Sequence, residues 1–363
     1  MNEDLFRYKS QFITFSLLLS YAFIHTKLTG VYVDTSLPDM ANFAVRLPFG
    51  QRLLIPAIVH FLAYVLPLSI DNLFFLMELL FISLFYFALK KLLAHEFEPR
   101  PAQLLSWLCI LLLPLMTVIN YRFTSEGRAT FFYPCDTGSL FFMTVGYLLC
   151  LRERWLYLIP WIFLATFNRE SSILLVLLIP ALHWQKCRSL IGPLLLAIVA
   201  YCFARFLVLT FTHGLPGPVM EWYFRASQYT YFEANLFWLL NDLHILLFLF
   251  CFAGLPLFWF VFYDFIPLQY RPLRYVVLFY FIGLLLVGNL MEARLFNEIL
   301  VLYYLPVCLA MRQWLSQLEP YPTEQTGVLY YINRYAVVGV LTIIVLFRQP
   351  LNVGVIWLSH HLS

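Results

Sequence analysis

The segment WLYLIPWIFLATFNRESSILLVLLIPALHW, residues 155–184, is two apolar runs broken by Asn168-Arg169-Glu170. Arg152 and Arg154 precede it, and Lys186 and Arg188 follow. Lys and Arg collect in the cytoplasmic loops of membrane proteins. Both ends of the segment are therefore expected on the cytoplasmic face, with Asn168-Arg169-Glu170 at the tip of a helical hairpin. The arms, Trp155 to Phe167 and Ser172 to Trp184, have 13 residues each. At about 1.5 Å per residue each arm reaches about 20 Å, short of the roughly 30 Å hydrocarbon core. The tip is expected either inside the bilayer or at the floor of a water-filled cavity open to the far side. Ionisable groups at that depth are costly to desolvate, and they mark functional sites by default.

Of the 363 residues, 62% are hydrophobic and 12% charged, a balance no soluble domain of this size has. The expected fold is all-α: a polytopic membrane protein with about eleven transmembrane helices in a single integral membrane domain, residues 1–363. The net charge of +3 is spread over short loops, so no nucleic-acid partner is expected. The seven cysteines form no CxxC pair and mostly sit in apolar runs, where cysteine is a small core residue rather than half of a disulfide. The eight histidines show no metal-ligand spacing. No segment reads as a cleavable signal peptide, and none as a soluble nucleotide-binding domain, so direct use of ATP or a nucleotide sugar is not expected.

Gln11 to Gly30 reads as the first span, leading to a first outer loop, 31–72. Its polar part carries Asp34, Asp39, Arg46 and Arg52, and its apolar part is Leu53 to Ser69. If that apolar part crossed the membrane, Lys90-Lys91 and Arg100 would land on the outer face. The positive-inside rule favours a helix that lies along the interface or re-enters. A second long outer loop, 213–235, holds a Gly/Pro-rich stretch at 214–218. In this topology 13 Lys and Arg lie inside and 10 outside, and outer carboxylates accompany the outer arginines near helix ends. The functional reading is an outer cavity whose arginines hold an anionic lipid headgroup through parallel charge-assisted hydrogen bonds. Carboxylates there would take protons from hydroxyls. The structural reading is that Arg169–Glu170 and Glu292–Arg294 are ion pairs that lock the bundle. Asp71 and Glu78, near the ends of a helix pair, are read as structural.

Four motifs form a spaced pattern over most of the chain: Pro48-Phe49-Gly50-Gln51-Arg52-Leu53-Leu54-Ile55-Pro56, Tyr133-Pro134-Cys135-Asp136, Phe167-Asn168-Arg169-Glu170-Ser171 and Glu292-Ala293-Arg294. The pattern resembles a group of bacterial polytopic proteins regarded as similar to the GT-C class of polyprenyl-phosphate-dependent glycosyltransferases. The resemblance implies transfer of a sugar from a polyprenyl-phosphate-linked donor to a glycan or lipid acceptor. It implies the bacterial inner membrane, with the site facing the periplasm or exterior. It also implies a catalytic carboxylate in the first outer loop, Asp34 or Asp39. The chain lacks the paired acidic dipeptide that several GT-C families carry there, which leaves both open. Arg52, Arg169 and Arg294 would bind the donor phosphate, supported by Arg128, Asp136, Asn168, Glu170 and Glu292. Leu53 to Ser69 would be the interfacial helix such enzymes often carry. A metal-independent reaction is expected, with no cofactor beyond the lipid-linked sugar itself. One rival is a transporter or flippase of an anionic lipid or solute, because broken helices with charged tips at membrane depth also belong to transporters. No inverted repeat supports it. The other is a structural or assembly subunit, in which the outer charges pair off and leave no cavity.

Overall fold

The computed structural model describes residues 2–31, 35–119, 131–224, 227–241, 243–322 and 327–362. Among them there is no strand, only isolated bridges from Gly30 to Phe131 and from Tyr223 to Thr230. The first half contains α1 (Asn2–Lys27), α2 (Leu37–Ala41), α3 (Leu54–Val65), α4 (Ile70–Leu93), α5 (Pro99–Pro114), α6 (Cys135–Leu151), α7 (Trp155–Asn168) and α8 (Ile173–Leu182). The second contains α9 (Cys187–Thr212), α10 (Tyr231–Leu240), α11 (His244–Cys251), α12 (Leu255–Val261), α13 (Leu273–Val287), α14 (Asn297–Leu315), α15 (Val328–Leu346) and α16 (Arg348–Leu362).

Among the described residues, five helices, built on α4, α5, α9, α13 and α14, are long and apolar enough to cross a membrane. The number is seven if α10–α11, bent by 95°, and α15–α16, bent by 82°, each make one crossing. The helix that follows the first polar loop, α3, has 12 residues. It spans about 18 Å, well under the thickness of a bilayer core. Burial separates centre from rim. In the candidate span that contains α14, 89% of the most apolar stretch is buried inside the protein, and in that of α9 only 17%. The outward residues of α9 are Ile191, Leu195, Val199, Phe203 and Phe206, a surface suited to hydrocarbon.

The bundle has two chemically different ends. Helices α4 and α6 run in parallel, since Glu78 meets Thr137 near their starts and Phe81 packs on Phe141 and Phe142 one turn later. Their far ends therefore place Lys90, Lys91, Arg152 and Arg154 together. Three contacts gather more basic residues there: Tyr270 Oη donates to Glu96 Oε1 at 2.6 Å, Arg312 Nη1 donates to the Glu96 carbonyl, and Lys186 pairs with Glu153. At the opposite end lie the start of α6, the tip of the α7–α8 hairpin and the start of α14.

The hairpin arms have 14 and 10 residues. Arg169 is extended (φ −164°, ψ 145°) and ends α7, and a 3-10 turn, Glu170–Ser172, leads into α8. Tyr201 Oη donates to the Glu170 carbonyl at 3.1 Å. Tyr201 lies near the middle of the 26-residue α9, so the tip sits about 20 Å from the basic end along a helix about 39 Å long.

Two loop segments close over the tip. Residues 43–53 join residues 213–224 through the Leu47 amide to the Pro216 carbonyl (2.8 Å), Gln51 Nε2 to the Val219 carbonyl (3.1 Å) and the Arg46–Glu221 ion pair (2.7 Å). Gly217 has φ +104°, and a Cβ there would lie 2.8 Å from the Leu47 carbonyl. Gly217→Ala combines backbone strain with this clash, and it is expected to cost about 1–3 kcal/mol. Thermal unfolding of the purified protein measures this, and an unchanged midpoint would show that the two loops are not held together at this point.

Candidate functional site

The centre of the polar end is Asp136, in the first turn of α6 and fully buried. Its Oδ1 accepts from Arg169 Nη1 at 3.0 Å, and its Oδ2 accepts from Arg294 Nη1 at 2.9 Å. Arg169 Nη1 also pairs with Glu298 Oε1 at 2.7 Å, and Arg294 Nη2 with Glu292 Oε2. Glu298 accepts in addition from Ser171 Oγ at 3.1 Å and from Tyr280 Oη at 2.7 Å. A carboxylate shared by two guanidiniums and further hydrogen-bonded carboxylates is the arrangement in which buried charges become tolerable.

Local structure delivers each member. The extended backbone of Arg169 stops α7, and the Phe167 carbonyl this exposes accepts from the Leu53 amide at 2.9 Å. Asn168 ties the tip to α6 by donating from Nδ2 to the Cys135 carbonyl (3.1 Å) and to Ser139 Oγ (3.0 Å). Gly138 makes that approach possible, since a Cβ there would lie 2.7 Å from Asn168 Oδ1. The break between α13 and α14 is bonded by buried Asn235. Its Nδ2 donates to the Gly288 carbonyl at 2.7 Å and its Oδ1 accepts from the Leu290 amide at 3.0 Å. That fixes the 3-10 turn Ala293–Phe296, which carries Arg294 inward over the Tyr133 ring at 3.9 Å from its centroid.

Arg52 belongs to the same cluster but is held differently. Its guanidinium lies 5.6 Å from the Phe49 ring centroid and 5.5 Å from that of Tyr133. Its Nε and Nη1 are buried without a hydrogen-bond acceptor. Beside it is a cavity of about 20 Å³ lined by Met40, Phe49, Tyr133 and Cys135. Glu170 is half-buried and lies in the field of Arg52, Arg169 and Arg205. Arg205 Nη2 donates to Gln51 Oε1 at 2.8 Å. A second small cavity, about 10 Å³, lies against Arg169, Ser171 and Glu298. Among the described residues, four guanidiniums (Arg52, Arg169, Arg205, Arg294) thus meet four carboxylates (Asp136, Glu170, Glu292, Glu298), a formally neutral set.

The structure brings together Arg52, Asp136, Asn168, Arg169, Glu170, Glu292 and Arg294. Asp39 is not among them: it is exposed in the first turn of α2, which Ser36 caps, its amide donating to Ser36 Oγ and its carboxylate accepting from the same hydroxyl. Asp34 and Arg128 lie outside the described residues. Arg169 pairs with Asp136 and Glu298, not with its neighbour Glu170. Glu298, Tyr280 and Tyr133 complete the cluster. Glu298 was visible as the acidic residue four positions after Arg294, but its contact with Arg169 spans more than a hundred residues. Glu78 is buried with His25, whose Nδ1 lies 2.8 Å from Oε1, and it accepts from Thr137 Oγ1 at 2.5 Å, one residue from Asp136. No three His, Cys, Asp or Glu side chains among the described residues converge as a metal site.

No protein-family model, curated protein or solved structure matches the chain.

Asp136→Asn leaves Arg169 and Arg294 buried against a neutral amide. The expected loss is about 3–5 kcal/mol, the cost of removing one partner from a buried ion pair. Glu292 keeps 20% of its side chain exposed, so Glu292→Gln is expected to lose much less. Thermal unfolding of the two variants side by side checks the order, and equal midpoints would remove Asp136 from the centre of the network.

Proposed function

We propose that the chain is a membrane glycosyltransferase of the GT-C kind, with its site at the polar end beneath the closed loops and on the non-cytoplasmic side. In this reading the five long helices, the two bent pairs, α1 and α6 cross the membrane, and the α7–α8 hairpin enters from the cytoplasmic side without crossing, eleven membrane helices in all, while α3 lies along the interface. The basic end faces the cytoplasm, as the concentration of Lys and Arg there requires.

What carries the reading is the split among the guanidiniums. Arg169 and Arg294 are held by Asp136, Glu298 and Glu292. Arg52 keeps two nitrogens without an acceptor at the edge of the same cluster. Arg205 and Arg294 each keep one such nitrogen; Arg52, with two, is the group assigned to a donor phosphate, and Arg169 and Arg294 form the frame that positions it. An acceptor hydroxyl gives its proton to a carboxylate, Asp34 from the first outer loop or the half-buried Glu170. Its oxygen bonds to the anomeric carbon as the bond to the phosphate oxygen breaks. Arg52 then stabilises the negative charge that gathers on the departing polyprenyl phosphate. Small cavities of about 20 and 10 Å³ make this a closed arrangement, so substrate entry requires the loops at 43–53 and 213–224 to part.

The neutrality of the cluster favours a second reading, in which the protein is an assembly subunit and the charges only lock the bundle. Arg52→Ala separates the two. Arg52 makes no hydrogen bond to a carboxylate among the described residues, so its removal is expected to lower the unfolding midpoint far less than Asp136→Asn does. Under the enzymatic reading the same substitution lowers sugar transfer from a polyprenyl-phosphate donor in membranes by about 100-fold. Wild-type transfer by a folded Arg52→Ala protein would remove Arg52 from the reaction, and absence of transfer by the native protein across lipid-linked donors would favour the assembly role.

A further inference from the structure

We propose that the basic end binds an anionic glycerophospholipid, with its phosphate at Arg271 and Arg274 and an acyl chain in the groove between α8 and α13. The inference concerns the end of the bundle away from Asp136 and does not depend on glycosyl transfer.

Three guanidiniums surround one ring. Arg271 and Arg274 each lie 4.9 Å from the Tyr263 centroid, and Arg334 lies 5.4 Å from it. Asp264 is the one carboxylate they pair with among the described residues, and it is held by Arg334 and by Tyr330 Oη at 2.8 Å. Arg271 donates only to backbone carbonyls, those of Ile266 (3.0 Å) and Asp264 (3.1 Å), which bring no charge. Arg274 Nη2 donates to Tyr275 Oη at 2.9 Å and to Asn333 Oδ1, again neutral groups. The Arg274 side chain is 6% exposed, and its Nε and Nη1 have no acceptor. Among the described residues, neither Arg271 nor Arg274 makes an ion pair with a carboxylate. Water reaches neither free nitrogen of Arg274, and a buried uncompensated cation is strongly unfavourable.

The space for an anion is adjacent. A cavity of about 690 Å³ is lined by Arg271, Arg274, Asn333 and Gln185, with Trp184 and Tyr275 at its margin. Its apolar wall comes from Leu177 on α8 and from Val276 and Phe279 on α13. Trp184, Tyr275 and Phe279 are exposed on the lateral surface, which opens the cavity sideways rather than only toward water. A charged floor, aromatic margins and an apolar lane are the complement of a phospholipid: phosphate, interfacial glycerol, hydrocarbon. Arginine takes a phosphodiester through two parallel hydrogen bonds. Basic pockets between membrane helices at the positively charged end are where anionic lipid headgroups bind.

Native mass spectrometry of the full-length protein in detergent tests this, with dioleoylphosphatidylglycerol, dioleoylphosphatidylcholine and inorganic phosphate as probes. The expected result is retention of phosphatidylglycerol about tenfold over phosphatidylcholine, the fold-change that one charge-assisted contact supplies, with no displacement by inorganic phosphate. Arg274→Gln should bring the two lipids level. Asn333→Asp keeps the acceptor for Arg274 and Tyr275 and adds the missing counter-charge, so it should fold normally and lose the preference, even if Arg274→Gln does not fold. Equal retention of the two lipids by the native protein would overturn the proposal. So would an unchanged preference in Asn333→Asp, or release of bound lipid by phosphate alone, which would mark a free-anion site.

Discussion

The polar end depends on Asp136 bridging two guanidiniums that arrive from opposite directions along the chain. Arg169 comes from the tip of a hairpin about 20 Å deep, and Arg294 from the break between two crossings. In a low-dielectric interior such a bridge is favourable only if every partner stays in place, because either arginine left alone would be an unpaired buried charge. The surrounding features follow from that requirement. The hairpin arms stop where Arg169 meets Asp136. Gly138 carries no side chain where the tip crosses α6, and Asn235 satisfies the backbone of the α13–α14 break so that Arg294 is held inward. Glu298, accepting from Ser171 and Tyr280, closes the network on the α14 side.

Much of this was legible in order along the chain. Two apolar runs with basic flanks announce a hairpin, and polar residues between them announce its tip, because hydrophobic and charge patterning are local properties. The clustering of Arg52, Asp136, Arg169 and Arg294 followed from each being a polar residue at a helix end on one side of the bundle. Pairing was not legible. Arg169 and Glu170 are neighbours, and neighbours of opposite charge look like a pair. With Arg169 extended, though, successive side chains point to opposite faces, and Arg169 turns to Asp136 and Glu298. Asp39 illustrates the converse. An aspartate in a polar outer loop looks like a base, yet Ser36 three residues earlier caps α2 and places it in the first turn of that helix. First-turn and catalytic aspartates have the same residue type and the same loop address, and only the hydrogen-bond partner separates them.

Length was also only partly legible. A run of apolar residues shows that a segment is buried in lipid or protein, not whether one straight helix carries it across. α10 and α11 turn by 95° and α15 and α16 by 82°, within stretches whose composition reads as continuous. α7 and α8 are each too short to cross alone; α7 packs on α6 and α9, and α8 on α6 and α13. The polar tip is surrounded by protein, with Asn168 and Arg169 buried, which is where non-helical polar backbone is tolerated in a helical bundle.

Saturation, rather than the presence of arginine, separates frame from site at both ends of the molecule. At the polar end four guanidiniums meet four carboxylates, and the arginines deepest in the network, 169 and 294, are in ion pairs. A ligand phosphate would have to displace Asp136 or Glu298 to reach them and would leave those carboxylates buried and unpaired, a penalty of the same order as its own gain. Arg52 at the edge carries no such penalty, because nothing has to leave before it can bind. At the basic end the count differs: among the described residues three guanidiniums face one carboxylate, and the imbalance adjoins a cavity of about 690 Å³. Both Arg52 and Arg274 are stacked on tyrosine rings with two nitrogens unfilled. Aromatic faces hold a guanidinium in place without using its hydrogen-bonding capacity. That leaves it positioned yet unsatisfied, the state in which a buried cation gains most from an anion brought by a lipid.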